Sequence, residues 1–167
     1  KDKVEVRFRG KPRPYVYLAY NKPRGLATEE IKVKGVFPIG RLDKESEGLL
    51  ILTDDGRVTD RLLSPTYHHE KEYLVTTKEK LRTSFKQKME AGVKIENEMT
   101  APCQVESLGE KNFKVTLTEG KKHQIRRMCV ALFQEVNTLK RIRITHIRLG
   151  KLAPGAHRPI EGAELKQ

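Results

Sequence analysis

Short apolar runs separated by polar loops recur along the chain and predict a fold rich in β-strands. Two of these runs, residues 36–39 and 49–52, flank one polar loop that carries Arg41 and Asp43. These two side chains are two positions apart, so an extended backbone would project both to the same side. A rigid sheet often presents reactive side chains on such a loop. The residues alone also fit a structural role for Asp43 as a turn or helix-capping residue, which is the commoner fate of a loop aspartate.

Hydrophobic periodicity places the remaining elements. Leu81, Phe85 and Met89 form one apolar stripe at a spacing of four residues, which predicts a helix over residues 81–91. Elsewhere, alternation of apolar with polar residues predicts a strand, and a helical spacing of apolar residues predicts a helix. We expect strands over residues 4–8, 15–20, 93–95, 101–106, 113–118 and 141–149 and from residue 72 onward, and helices over residues 57–63 and 125–133.

The charge of the chain narrows the class of partner. The 167 residues include 34 Lys and Arg against 22 Asp and Glu, which gives a net charge of +12. Such an excess predicts a polyanionic partner, either RNA, DNA or an anionic membrane. A membrane is the weakest of these, because no apolar run could span a bilayer and no basic amphipathic helix carries bulky aromatic residues.

The cysteines and the first residues both fit a cytoplasmic protein. Cys103 and Cys129 lie too far apart for a zinc motif, and a disulfide is not indicated. The first ten residues contain no apolar core of a signal peptide. We therefore expect a cytoplasmic protein without a metal site.

Two long motifs resemble those of one known family. GRLDKESEGLLILTDDG, residues 40–56, is similar to the central motif of the RsuA-type pseudouridine synthases, which modify bacterial ribosomal RNA. EGKKHQIRRM, residues 119–128, is similar to a second element of that family. The resemblance implies that Asp43 is the catalytic residue and that Arg126 pairs with it, which would hold the carboxylate ionised and oriented.

Shorter matches support the same resemblance. NKPRG at residues 21–25 is similar to the family's first motif, and KEY at residues 71–73 is similar to an element whose tyrosine lies in the active site. Tyr73 would stack on a flipped uracil and accept its C5 proton, tasks that suit a tyrosine. As a strand residue alone, Tyr73 would more often belong to the core. Near the C-terminus, GAHR carries His157 where the family usually has Trp.

The resemblance also implies a fold and a reaction. The expected fold is of the α+β class, with a mixed, largely antiparallel sheet flanked by helices and two subdomains around a basic cleft. The expected enzyme is an isomerase that converts uridine to pseudouridine without a cofactor. Residues 15–167 would form the catalytic domain, and residues 1–14 would be the end of an S4-type RNA-binding domain and its linker.

Eight cations are expected to bind the RNA. Lys22 and Arg24 lie at the edge of the NKPRG turn, and Arg41 would enter the gap left by the flipped nucleotide. Cations also crowd the start of the helix in the second motif, where the helix dipole disfavours them, so a carboxylate or a phosphate must compensate. The strand predicted over residues 141–149 alternates basic with apolar residues and would form a phosphate track. The other five expected contacts are Lys121, Lys122, Arg127, Arg141 and Arg143.

The sequence also favours one RNA substrate and leaves two alternative functions to be weighed. The segments HEKEYLV and EVNTLKRIRI resemble the large-subunit members of the family, which favours 23S over 16S ribosomal RNA for a monomeric enzyme. A non-catalytic RNA-binding or ribosome-assembly protein would explain the charge, but not the joint match of Asp43, Tyr73 and Arg126. A metal-dependent nuclease has support only from two pairs of adjacent residues that fit turns better, Asp54-Asp55 and His68-His69.

Overall fold

The computed structural model describes residues 14–59 and 68–165. The strand predicted over residues 4–8 lies outside these residues, as does most of the helix predicted over residues 57–63, of which residues 57–59 are helical. Three helices are α1 (Phe85–Glu90), α2 (Gln124–Ala131) and α3 (Gly162–Leu165), and one 3-10 turn covers Thr28–Glu30. The strands are β1 (Tyr17–Lys22), β2 (Phe37–Ile39), β3 (Glu47–Thr53), β4 (Lys71–Thr77), β5 (Lys94–Ile95), β6 (Glu98–Met99), β7 (Gln104–Gly109), β8 (Asn112–Leu117), β9 (Val136–Ile144), β10 (Ile147–Arg148) and β11 (His157–Pro159).

Nine of these strands form one sheet. Its central path runs in the order β11-β1-β3-β9-β4-β8-β7, with β2 beside β3 and β10 beside β9. Strands β3 and β9 are parallel, and the other paired strands of the described residues are antiparallel. Strands β5 and β6 form a separate hairpin. The predicted α+β fold with a mixed, largely antiparallel sheet is confirmed.

Apolar residues on the two halves of the sheet bury separate cores. On one half, Phe85 and Met89 of α1 and Met128 of α2 pack over Val75 and Phe113 of the sheet. On the other half, a second cluster lies on one face of β1, β3 and β9, and a third lies on the opposite face of β1 and β3. Strand β3 is therefore buried on both faces, which explains why residues 49–52 are continuously apolar rather than alternating.

The single parallel contact joins the two halves and depends on one glycine. Gly48 at the start of β3 pairs with Arg141 of β9 and has a φ of +112°. A Cβ atom on Gly48 would lie 2.2 Å from the carbonyl oxygen of Arg141, so no other residue fits without a backbone shift. This contact fixes where the loop that carries Asp43 enters the sheet.

Two expectations about element boundaries are wrong. The strand predicted over residues 141–149 is a hairpin, because the chain turns at Thr145 and His146 between β9 and β10. Thr145 has a φ of 50°, a left-handed conformation that an alternating sequence pattern does not reveal. The helix predicted over residues 81–91 covers only α1, although its apolar stripe lies in the core as expected. No helix of residues 14–59 or 68–165 is long and apolar enough to cross a membrane.

Candidate active site

Asp43 lies in the loop between β2 and β3, on the wall of a cavity of about 650 Å³. About a third of its side chain, 36%, is exposed, so the carboxylate is accessible from the cavity. The rest of the lining comes from α2 with the residue before it, and from β5 with the turn after it. The lining residues are Asp43, Lys44, Glu45, Lys94, Ile95, Glu96, His123, Arg126, Arg127, Val130 and Ala131.

The backbone around Asp43 is held on both sides. Before it, Leu42 donates its N–H to the Thr28 hydroxyl at 3.2 Å, and that hydroxyl donates back to the Leu42 carbonyl at 2.9 Å. After it, Ser46 donates its N–H to the Asp43 carbonyl at 2.9 Å. A further bond, from the N–H of Gly25 to the Lys44 carbonyl at 2.7 Å, ties the loop to the NKPRG turn. The loop therefore presents Asp43 in one fixed position, as a reacting group requires.

Lys22 supports this loop from inside the protein. Its side chain is fully buried, which is rare for a lysine. The ammonium group donates to the carbonyls of Pro23 at 2.9 Å, Leu26, and Lys44 at 3.3 Å. Burial lowers the pKa of the Lys22 ammonium from its ordinary value. In this structure the three donors of Lys22 join the NKPRG turn to the loop of Asp43, and its phosphate contact stays a prediction.

The expected ion pair between Asp43 and Arg126 is not formed in this structure. Instead, the Nε2 atom of His123 lies 3.0 Å from the Oδ1 atom of Asp43. Arg126 lines the same cavity, and its Nη2 atom donates to the buried hydroxyl of Ser46 at 3.2 Å. Arg126 thus holds the turn that follows Asp43, while His123 occupies the place expected for the guanidinium.

The position of His123 follows from the turn that opens α2. His123 has a φ of 52°, a left-handed conformation. The N–H of Gln124 donates to the Lys121 carbonyl, and the Gln124 side-chain oxygen accepts from the Lys121 N–H. Gln124 also donates to Glu119 at 2.9 Å, which anchors the start of the helix. His123 lies within the EGKKHQIRRM motif, but its contact with Asp43 could not be predicted, because the left-handed turn that aims the imidazole at Asp43 has no sequence signal.

Carboxylates compensate the cations at the start of α2. Lys121 lies 3.6 Å from both Glu98 and Glu119, and Arg127 pairs with Glu96. The expected requirement for an anion near this helix start is therefore met by the protein itself, within the described residues.

Tyr73 is not among the described residues that line this cavity. It is half-buried in β4, where it packs against the larger core cluster and is paired with Val115 on one side and Arg141 on the other. Its role in the reaction stays a prediction.

The other expected RNA contacts divide into exposed and enclosed cations. Arg24 and Arg41 are exposed, and each has a glutamate partner at the surface. Arg24 lies 3.6 Å from Glu45, and Arg41 lies 2.8 Å from Glu29. Lys122 is also exposed.

Two cations of the predicted phosphate track are directed into the protein. Arg141 is buried and donates to the Leu49 carbonyl at 2.8 Å, so its guanidinium contacts the protein in this structure and its RNA contact stays a prediction. Arg143 is mostly covered and pairs with Glu70 at 3.1 Å and Glu72 at 3.5 Å. These two side chains therefore have partners within the protein rather than lining an open basic face.

The adjacent acidic residues have structural partners. Asp55 is buried and accepts hydrogen bonds from the Tyr17 hydroxyl and the Arg57 guanidinium. Asp54 accepts from the backbone N–H of Val16 at 2.9 Å. Within residues 14–59 and 68–165, no three His, Cys, Asp or Glu side chains lie close enough to hold a metal ion. These contacts remove the support for a metal-dependent nuclease.

Comparison with known proteins extends the likeness over most of the chain. The family model described as RNA pseudouridylate synthase matches residues 16–131. The dual-specificity RNA pseudouridine synthase RluF of Escherichia coli is 39% identical over 162 residues, which cover 90% of this chain and 56% of the relative. The ribosomal small subunit pseudouridine synthase A of Yersinia pestis is 36% identical, with 96% of this chain and 77% of the relative covered.

Solved structures agree with the sequence comparisons. A crystal structure of a pseudouridylate synthase superposes with a TM-score of 0.85 at 32% identity, covering 90% of this chain and 72% of that one. An H/ACA ribonucleoprotein bound to a substrate RNA shares the fold alone, with a TM-score of 0.59 at 18% identity, covering 80% of this chain and 48% of that one. The chain spans only about half the length of the RluF relatives that it matches. The family model, the relatives and the superposed fold together establish that this chain belongs to the RNA pseudouridylate synthase family.

Proposed function

We propose that this chain is the catalytic part of a ribosomal RNA pseudouridine synthase that isomerises one specific uridine without a cofactor. The observation that carries the proposal is the placement of Asp43. The Ser46 N–H donates to the Asp43 carbonyl, and the Thr28 hydroxyl holds the backbone of the preceding Leu42. The Asp43 carboxylate is accessible from a cavity lined by four cations. The resemblance of residues 40–56 to the central motif of the family supports this role for Asp43.

The reaction itself explains why no cofactor is needed. The N1–C1′ bond of uridine breaks, the uracil turns, and a new bond joins C5 to C1′. The C5 atom then loses a proton while N1 gains one, so the product has the atoms and electrons of the substrate. One ionised carboxylate beside the sugar suffices to begin these steps, either by attacking C1′ or by removing the C2′ proton to give a glycal. Asp43 performs one of these two tasks.

Arg126 is proposed to orient Asp43 when RNA is bound. Its side chain lines the same cavity as Asp43 and hydrogen-bonds Ser46, three residues after Asp43. Rotation of this side chain away from Ser46 would allow a charge-assisted contact with the carboxylate. In this structure His123 makes that contact. Tyr73 retains its proposed tasks of stacking on the uracil and accepting the C5 proton.

Four further cations are proposed to bind the RNA backbone. Arg24 and Lys122 are exposed, and Lys121 and Arg127 are partly exposed. The ion pairs of Arg24 and Lys121 with Glu45 and Glu98 are weak enough to be exchanged for phosphate contacts. Arg41, whose side chain is 67% exposed, would fill the gap left by the flipped nucleotide.

Of the two large ribosomal RNAs, we propose 23S rather than 16S as the substrate. The names of the relatives include both a dual-specificity and a small-subunit enzyme, so they do not decide between the two RNAs. The preference for 23S rRNA therefore rests on the two segments HEKEYLV and EVNTLKRIRI. We propose further that residues 15–167 form the catalytic domain, that residues 1–14 lead into it, and that the enzyme is monomeric and cytoplasmic.

The test uses ribosomal RNA that lacks pseudouridine. Transcripts of 23S and 16S rRNA are incubated with the protein, and pseudouridine is mapped by carbodiimide modification and primer extension. A new stop on 23S rRNA is expected, and a stop on 16S rRNA alone would correct the substrate. The assay is repeated on pre-ribosomal particles if neither naked RNA is modified. Tight binding to both RNAs without any new stop in either assay would support the non-catalytic RNA-binding function instead.

A further inference from the structure

We propose that Phe133 is a stacking platform for a nucleobase of single-stranded RNA that runs along α2 beyond the catalytic cavity. The side chain lies immediately after the end of α2 and is 73% exposed, the most exposed of the large apolar residues described. An exposed aromatic ring on a strongly cationic protein is a common platform for nucleobases, because every base has a face that can stack.

The backbone of Phe133 is held in a conformation that disfavours it. The N–H of Phe133 donates to the Val130 carbonyl at 3.0 Å, and the N–H of Gln134 donates to the Cys129 carbonyl at 2.8 Å. These two bonds form the helix ending in which the residue at this place is usually glycine. Phe133 has a φ of 66°, in the left-handed region that is strained for a residue with a side chain. Strain of this kind is concentrated at functional sites.

Neighbouring contacts fix the ring rather than bury it. The guanidinium of Arg82 lies 5.0 Å from the centre of the Phe133 ring, within the range of a cation–π contact. The adjacent Gln134 is buried, and its side-chain oxygen accepts from the Arg82 N–H at 2.8 Å. Among the described residues Arg82 has no acidic partner, so its charge is available to a phosphate. The pair therefore offers an aromatic surface beside a cation.

The position of the pair fits an RNA strand that leaves the cavity. Val130 and Ala131, in the last turn of α2, line the cavity that holds Asp43 at the other end of the helix. Eight residues of helix span about 12 Å, which corresponds to about three or four stacked nucleotides. A base near the target uridine could thus reach Phe133 while the uridine occupies the cavity. A protein partner is the less suitable occupant, since a single ring flanked by a cation is not a broad apolar patch.

The test uses a probe that cannot be a substrate. The probe is an oligocytidylate of ten nucleotides that carries the fluorescent base 2-aminopurine at its centre and contains no uridine. Titration with the protein measures both affinity and the quenching of 2-aminopurine that stacking causes. This inference rests on the proposed function only in taking RNA as the ligand, and its readout is independent of catalysis. Its failure would leave the pseudouridine mapping unaffected, and a failure of the mapping would not alter the titration.

Three variants make the outcome decisive. In Phe133→Gly the melting temperature should rise by about 2–4 °C, because strain is relieved, while affinity falls about tenfold and quenching is lost. Phe133→Tyr should retain both binding and quenching. Leu108→Ala, which removes another exposed apolar side chain on the distant strand β7, should change neither. Unchanged affinity and quenching in a folded Phe133→Gly protein would overturn the inference, as would their loss in a folded Phe133→Tyr protein.

Discussion

The carboxylate of Asp43 is paired with His123, whose Nε2 atom lies 3.0 Å away, while Arg126 donates to Ser46 in the same turn. One carboxylate therefore has two candidate partners. The family resemblance implies that Arg126 orients Asp43, whereas in this structure His123 contacts the carboxylate. The two assignments differ in what they predict for single substitutions.

Replacing Arg126 should impair the chemical step much more than replacing His123. We expect Arg126→Met to lower the single-turnover rate at saturating RNA at least about 100-fold, because the carboxylate loses its orienting cation. His123→Gln should lower it less than about tenfold, since the amide can still hydrogen-bond Asp43. Single-turnover measurements on both variants check this, with RNA affinity measured alongside. The opposite order would show that His123, and not Arg126, orients Asp43 during the reaction.

Lys22 should prove structural rather than RNA-binding. Lys22→Met keeps the length of the side chain but leaves the Leu26 and Lys44 carbonyls without their donor, so we expect the free energy of unfolding to fall by about 2–4 kcal/mol. Urea denaturation measures this, with the exposed Lys34→Met as the control, which should change stability by less than about 0.5 kcal/mol. Normal stability together with weakened RNA binding in Lys22→Met would contradict a buried structural role.

The parallel contact between β3 and β9 should tolerate only glycine at position 48. In Gly48→Ala the new methyl group meets the backbone of Arg141, and the positive φ adds strain, so a loss of at least about 2 kcal/mol in unfolding free energy is expected. Gly56→Ala is the matched control, because a Cβ atom there meets nothing within 4 Å. Equal denaturation midpoints for the two variants would argue against the close approach.

The buried Asp55 should give the protein acid-sensitive stability. The Arg57 guanidinium, helped by the Tyr17 hydroxyl, holds the pKa of the Asp55 carboxyl well below its usual range. A carboxyl with a lower pKa in the folded than in the unfolded protein binds fewer protons when folded. Its stabilisation is therefore present above the unfolded pKa of about 4 and is lost as pH falls toward the folded pKa. The difference in unfolding free energy between the wild type and Asp55→Asn should shrink between pH 5 and pH 3. Urea denaturation across this range checks it, and a difference independent of pH would show that Asp55 is not ionised in the fold.

The sequence was most informative where local pattern and burial agree. Four consecutive apolar residues, 49–52, predicted a strand, and β3 is such a strand because both of its faces are covered. The loop that carries Asp43 follows from the same two apolar runs. The apolar stripe of α1 was also correct, since helical spacing depends only on neighbouring residues.

Features that depend on the course of the backbone were missed. Lys22 belongs to a turn motif in which a lysine is normally exposed, and only the tertiary fold brings three carbonyls around its ammonium group. His123 reaches Asp43 through a left-handed residue, and the turn at Thr145 interrupts an alternating pattern in the same way. Such conformations in residues other than glycine have no reliable sequence signature.

The catalytic role of Asp43 is tested by comparing Asp43→Asn with the wild type and with Glu106→Gln. Both variants remove one negative charge, but Glu106 lies on β7, away from the cavity, and its side chain is 63% exposed. Pseudouridine formation on 23S rRNA is followed by carbodiimide mapping under single-turnover conditions, and RNA affinity is measured in parallel. We expect Asp43→Asn to bind RNA normally and to lose at least about 1,000-fold in rate, while Glu106→Gln retains activity. Substantial pseudouridine formation by a folded Asp43→Asn protein would contradict the assignment of Asp43 as the catalytic residue.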